Sequence, residues 1–271
     1  MVKRLFKYEI SAAMRSLLAM EVIVLGIALL TRIVQFFEVD SVAYGIVRTS
    51  AIVMLCVSII VSIIMSVILS IKRFYTNIFS AEGYLTMTLP ATPTQHIIVK
   101  LVVAVLSVVG AILVSLLAGA VATMGEVFIE VCKAVGYISK VYFDSYGGHG
   151  IAYVFEVILM LLVSLSSSLL IYYACISVGQ MASKKRVLFA FVAYFAYYSL
   201  TQILGTILLI LVAIGPDWLK NLLYWFETFS MNHPIAVIHI VLWLVTVYFL
   251  VLSVVFFFIS NYIIKNKLNL E

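Results

Sequence analysis

Residues 97–124, IIVKLVVAVLSVVGAILVSLLAGAVATM, decide the class of fold. The stretch holds one charge, Lys100, and is longer than the roughly 20 apolar residues that carry a helix across a bilayer core. Five further stretches read the same way, at about 17–37, 44–71, 151–181, 187–214 and 235–263. The whole chain agrees with them. Of its 271 residues, 65% are apolar and 11% charged, and the mean hydropathy is +1.21. A soluble domain of this length lacks the polar residues to cover its surface at that composition. The sequence therefore predicts an all-α, polytopic membrane protein with six transmembrane helices, in one domain spanning 1–271. A soluble enzyme, a disulfide-built secreted domain and a disordered tail are excluded. The net charge of +5 is no sign of a nucleic-acid partner, because in a membrane protein basic excess reports topology.

Charge position gives the direction. Lys3, Arg4, Lys7 and Arg15 precede the first span, Lys72 and Arg73 follow the second, and Lys100 opens the third. Lys184, Lys185 and Arg186 fill the connection between the fourth and fifth, and Lys265 and Lys267 lie in the tail. With six alternating spans all of these fall on one side, which predicts cytoplasmic N- and C-termini. Residues 125–150 and 215–234 then become extracellular segments. All four prolines, Pro90, Pro93, Pro216 and Pro234, lie outside the spans, where they do least harm to a helix.

Residues 1–16 read as an amphipathic helix. Val2, Phe6, Ile10, Ala13, Met14 and Leu17 form one stripe, and Lys3, Arg4, Lys7, Ser11 and Arg15 the opposite arc. That pattern suits an interfacial helix lying in the inner headgroup plane, with a partner-binding segment as the other reading. In 215–234, Gly215-Pro216-Asp217 reads as a helix start, and Trp218, Leu222, Trp225 and Phe229 follow on one face.

The cytoplasmic loop 72–96, KRFYTNIFSAEGYLTMTLPATPTQH, carries most of the functional signal. It is long and rich in aromatic and aliphatic residues. Ser80 can cap a short helix with Glu82 in its first turn. Such a helix offers a docking surface; the plainer alternative is a loop folded onto its own helix ends. Glu82-Gly83-Tyr84-Leu85, then Leu89-Pro90-Ala91-Thr92 and an apolar stretch opened by Lys100, resembles the pattern of permease subunits of type-2 ATP-binding-cassette exporters, particularly those of Gram-positive bacteria. The close likeness covers about thirty residues. It implies a coupling helix, with Phe79, Glu82, Gly83, Tyr84, Leu85 and Leu89 meeting a separate ATP-binding subunit. It also implies a second permease copy or a related permease around a central path, in a bacterial plasma membrane. The segment 215–234 would then be a short external gate helix.

The chain carries no motor of its own. No GxxxxGK[ST] occurs, and no glycine is followed by lysine, so ATP and Mg are expected in the partner subunit and no cofactor here. HExxH and GxSxG are absent as well, His96, His149, His233 and His239 are scattered, and no metal-binding spacing appears. The expectation is a transporter subunit and no enzyme, with a secondary transporter or channel, or a non-transporting scaffold or immunity protein, as alternatives. Cys56, Cys132 and Cys175 read as unpaired thiols.

Ionisable residues inside spans are costly and mark sites to examine. Arg32, Arg48 and Glu156 share a depth near the outer surface, and Glu21 and Lys100 one near the inner surface. A pair between Glu156 and either arginine, or snorkelling of the arginines to the headgroups, would each relieve the cost. In the third span Ser107, Ala111, Ser115 and Gly119 repeat a small residue every fourth position, the pattern of close helix packing.

Overall fold

The computed structural model describes residues 2–37, 40–80, 83, 92–124, 126–182 and 184–267. Among these the chain is helical throughout, without a strand. Its helices are α1 (Val2–Phe36), α2 (Val42–Phe79), α3 (Pro93–Ala122), α4 (Glu126–Tyr146), α5 (Gly148–Gly179), α6 (Arg186–Ile214), α7 (Asp217–Asn232) and α8 (Pro234–Asn266). Six of them, α1, α2, α3, α5, α6 and α8, are long and apolar enough to cross a membrane. The protein is an all-α, multi-pass membrane protein. Two of the prolines open spans, Pro93 in α3 and Pro234 in α8, where a missing N–H leaves no hydrogen bond unmade. The chain forms two units, Met1–Val141 and Tyr142–Glu271.

In the first unit α1, α2 and α3 pack on one another. The buried face of α1 runs Ala13, Leu17, Glu21, Val24, Ala28 and Thr31, with the steps of three and four that keep one stripe in register along a helix. Val24 and Ala28 meet Leu55 of α2 and Ala118 and Ala122 of α3, while Ala13 and Leu17 meet Val99 and Val103. α1 and α3 are thus parallel neighbours and α2 runs against both. The small-residue stripe of α3 is buried at Ser107, Ala111 and Ser115, with Gly119 half-buried as the contact face moves to Ala118 and Ala122. Ser107 and Ser115 donate to the carbonyls of Val103 and Ala111 on their own helix, so the hydroxyls are satisfied without polar cargo.

Two expectations change here. Residues 2–17 are amphipathic and helical, but they continue into the first span as a single 35-residue helix. Part of their stripe faces protein. Leu5, Phe6 and Ile10 pack with Leu69 of α2 and Val99 and Val103 of α3. The loop 72–96 is also shorter than its polarity suggests, since α2 runs on to Phe79 and α3 begins at Pro93. At 1.5 Å per residue α2 is about 57 Å long, against a bilayer core of about 30 Å. The three helices therefore extend well beyond the lipid.

In the second unit α5 is the hub, packing against α8 and α6. α5 and α8 are parallel: Tyr153 Oη donates to Ile235 O at 2.8 Å, and Glu156 meets His239 and Trp243 one turn further along both helices. α6 returns antiparallel to α5, seated where Gly179 abuts Ala190 and Arg186. A Cβ on Gly179 would lie 2.7 Å from two backbone atoms there, so only glycine fits. Tyr172 and Tyr194 stack at 5.3 Å a little further in. Tyr197 meets Phe256 of α8 edge-to-face at 5.2 Å, yet no described residue of α6 is fully buried. α4 and α7 are amphipathic helices in the segments read as extracellular. Cys132 lies on α4 rather than in a loop, and α7 starts at Asp217 with Trp218, Leu222 and Trp225 exposed.

Candidate functional site

The first cluster lies where α2 ends and α3 begins. Thr92 caps α3: its hydroxyl accepts from Gln95 N, and Gln95 Oε1 accepts from Thr92 N, a reciprocal capping box. Ser80 terminates α2 and donates to Thr76 O, while Gly83 N donates to Ser80 O at 2.7 Å. Ser80 is thus the end of a long helix. The short helix it was expected to open lies, with Glu82, Tyr84, Leu85 and Leu89, outside the described residues. Of the candidate coupling residues Gly83 and Phe79 are described. Phe79 is 7% exposed and meets Phe74 edge-to-face at 5.8 Å, so little of its ring is open to a partner.

One carboxylate holds both ends of this segment. Glu9 of α1 sits 2.9 Å from Lys100 Nζ of α3 and 3.4 Å from the Arg73 guanidinium of α2, and its carbonyl accepts from Arg73 at 3.1 Å. The Lys100 side chain is 5% exposed and that of Glu9 12%, so this pair is screened far less than a surface ion pair. Sequence depth had grouped Lys100 with Glu21. The fold instead turns Glu21 toward Ser62, whose hydroxyl donates to Oε1 at 2.7 Å, and leaves Oε2 buried without a partner. Glu9, an acid among the bases Lys3, Arg4, Lys7 and Arg15, is the residue that joins α1, α2 and α3.

The second cluster lies at the start of α5 and α8. α4 ends at a sharp turn through Gly147, whose φ of 53° with ψ of −132° is open only to glycine. Tyr142 and Phe143 close over Gly150, and Tyr142 donates to its carbonyl at 3.1 Å. This places His149 at the mouth of the helix pair. From there the polar groups run inward. His149 Nδ1 faces His239 Nε2 at 3.3 Å, His239 Nδ1 meets both oxygens of Glu156 at 2.8 Å, and Trp243 Nε1 donates to Glu156 Oε1 at 2.9 Å. The Tyr153 ring covers His239 with centroids 4.4 Å apart.

Glu156 thus finds its partners inside its own unit, in His239 and Trp243. Arg32 and Arg48 belong to the other unit, where Arg32 is half-buried, Arg48 is exposed, and neither forms an ion pair among the described residues. His239 is satisfied, as an isolated histidine on an apolar helix should be, but by a carboxylate 83 positions away. His239 and Trp243 at i and i+4 present two donors on one face of α8. That spacing was the one signal in the sequence that could have matched them to a buried acid.

No family model, curated protein or solved structure matches this chain. No group of three metal-ligating side chains occurs among the described residues.

Proposed function

We propose that the chain is the permease subunit of an ATP-driven exporter of the type-2 ATP-binding-cassette kind. It works in a bacterial plasma membrane with a separate ATP-binding subunit and a second permease, identical or related. The observation that carries this reading is mechanical. Residues 80–92, which hold the family-like string, connect two helix ends that Glu9 ties to a third. A push on the segment is delivered to α2 and α3 at their tips, and through Lys100–Glu9–Arg73 to α1 as well. The buried Phe74, Ile78 and Ile97 make the tips stiff. A closing ATPase dimer thus moves three spans together, and the path opens without chemistry on the cargo.

The test is association with an ATPase. The tagged chain, purified from its native membrane in mild detergent, is expected to bring with it a subunit carrying a GxxxxGK[ST] loop. Glu82→Ala and Leu85→Asp are each expected to lose that subunit while the permease still folds. A complex that survived both changes would sink the assignment. A second reading, a proton-driven secondary transporter, is favoured by the carboxylate–imidazole pair of α5 and α8, and predicts transport that persists without ATP.

A further inference from the structure

Every charged or polar group buried in the second unit near the start of α5 belongs to a single chain of contacts. It begins at His149, which is exposed, and passes through the half-buried His239 to Glu156, whose side chain is 11% exposed. We propose that His149, His239 and Glu156 form a proton-binding relay, which takes one proton from the face opposite the Lys184–Arg186 loop and stores it between α5 and α8. The inference stands apart from the ATPase reading and needs only the six spans.

The geometry selects a proton over a metal ion. The facing nitrogens of His149 and His239 are 3.3 Å apart and the ring centroids 5.5 Å apart, a difference of about one ring width. The two nitrogens therefore point at each other along one line. Two imidazoles sharing a metal would each turn toward a third point between them, at the angle of a tetrahedral site. A line of this kind suits one proton shared between two ring nitrogens.

The step balances as follows. Before loading, both imidazoles are neutral with hydrogen on Nδ1; His149 donates to His239 Nε2, and His239 donates to the Glu156 carboxylate. A proton from solvent adds to His149 Nε2, and the hydrogen on His149 Nδ1 crosses to His239 Nε2. His149 is again neutral, in its other tautomer, and His239 is an imidazolium held by Glu156. The buried site goes from one net negative charge to zero, which removes the cost of an unpaired carboxylate in a low-dielectric setting. A second proton would set two imidazolium N–H groups against each other, so the capacity is one. The other groups facing the site are the phenols Tyr153, Tyr146 and Tyr142, and Trp243. On α7, Asp217 and Lys220 pair with each other at 3.6 Å, and Glu227 and His233 are exposed.

Trp243 reports on the site because its indole N–H donates to Glu156. Three tryptophans occur in the chain, and Trp218→Phe with Trp225→Phe leaves Trp243 alone. The full-length double variant, reconstituted in vesicles with its orientation fixed by tag accessibility, is titrated from roughly pH 5 to 8 on one side at a time. Trp243 emission is expected to follow a one-proton curve set by the pH on the His149 side alone. His149→Ala, at an exposed position, is expected to shift the midpoint of that curve, and His239→Gln to abolish it. Flat emission in the parent would overturn the relay, and so would a midpoint untouched by His149→Ala. Emission governed by pH on the opposite face would overturn its direction of access.

Discussion

In the first unit the parallel helices α1 and α3 meet through alanines and valines; in the second, the parallel helices α5 and α8 meet through a carboxylate, an imidazole and an indole. Both triplets place the first and third spans side by side and send the middle one back. In each, the polar groups lie near the start of the parallel pair, but they differ in kind. Glu9 gathers cations where α2 and α3 approach the long connection, and Glu156 gathers donors beside the turn at Gly147. The difference follows from the solvent. Lipid tails are as apolar as leucine, so burial alone gives membrane helices little reason to associate, and close packing or hydrogen bonds must supply it. The first unit uses small residues over most of its length, forms its ion pairs at the tip, and buries Glu21 against Ser62 further in. The second has fewer buried residues; α5 and α8 also pack along their length, through residues such as Leu170, Ala174, Phe256 and Ile263, and add one polar pair near their start.

That contrast breaks most sharply at Glu156. Glu156→Leu strips the acceptor from His239 and Trp243 together, and breaking a buried pair from one side costs about 3 kcal/mol. The expected result is a large drop in thermal midpoint in detergent, with the second unit unfolding first. Glu156→Leu with His239→Leu should recover much of the loss, because no polar group is then left stranded. If the single and double variants lost the same stability, α5 and α8 would be held by packing alone, and the two units would differ less than their contacts suggest.

Glu9→Ala is the matching test in the first unit, with a smaller effect of about 2 kcal/mol. It leaves Lys100 and Arg73 facing each other at the tip, while the alanine and valine contacts further along the bundle hold. Glu9→Ala with Lys100→Met is expected to restore most of the midpoint. Exposure of the connection should be the more sensitive measure: chymotrypsin is expected to cut within 80–92 sooner in Glu9→Ala than in the parent. Unchanged cleavage would detach Glu9 from any control of that segment.

The spans and their order were legible because length and apolarity are local properties, readable at 97–124 without a partner in view. The amphipathic stripe of 2–17 was legible too, but not its neighbour. The run Ser16-Leu17-Leu18-Ala19-Met20 holds no glycine or proline to stop a helix, so α1 continues and its stripe lands on α2 and α3. The partners of the buried charges were the least legible part. Depth ranked Arg32 and Arg48 with Glu156, and Lys100 with Glu21, but depth is one coordinate. Which face of each helix turns inward, and against which neighbour, decided for His239 and Glu9 instead. A residue such as Glu9 looks ordinary in sequence because its worth comes from Lys100 and Arg73, 91 and 64 positions away.

The smallest effect separates the two modes of packing most cleanly. Leu208 lies on α6 and is 63% exposed within its unit, whereas Ala118 of α3 is fully buried against α1 and α2. Leu208→Ala exchanges side chain for lipid tail, a near-neutral trade in hydrocarbon, and less than about 0.5 kcal/mol should be lost. The opposite change, Ala118→Leu, adds three carbons where Val24 and Leu55 already touch, and overpacking of that kind costs about 1–3 kcal/mol. Measured together by denaturant unfolding in mixed micelles, the pair inverts what a soluble protein teaches, since trimming the large residue is silent and enlarging the small one is not. A substantial loss from Leu208→Ala would show that α6 is covered by protein, by another copy or by a different partner, and that its bare surface is an interface.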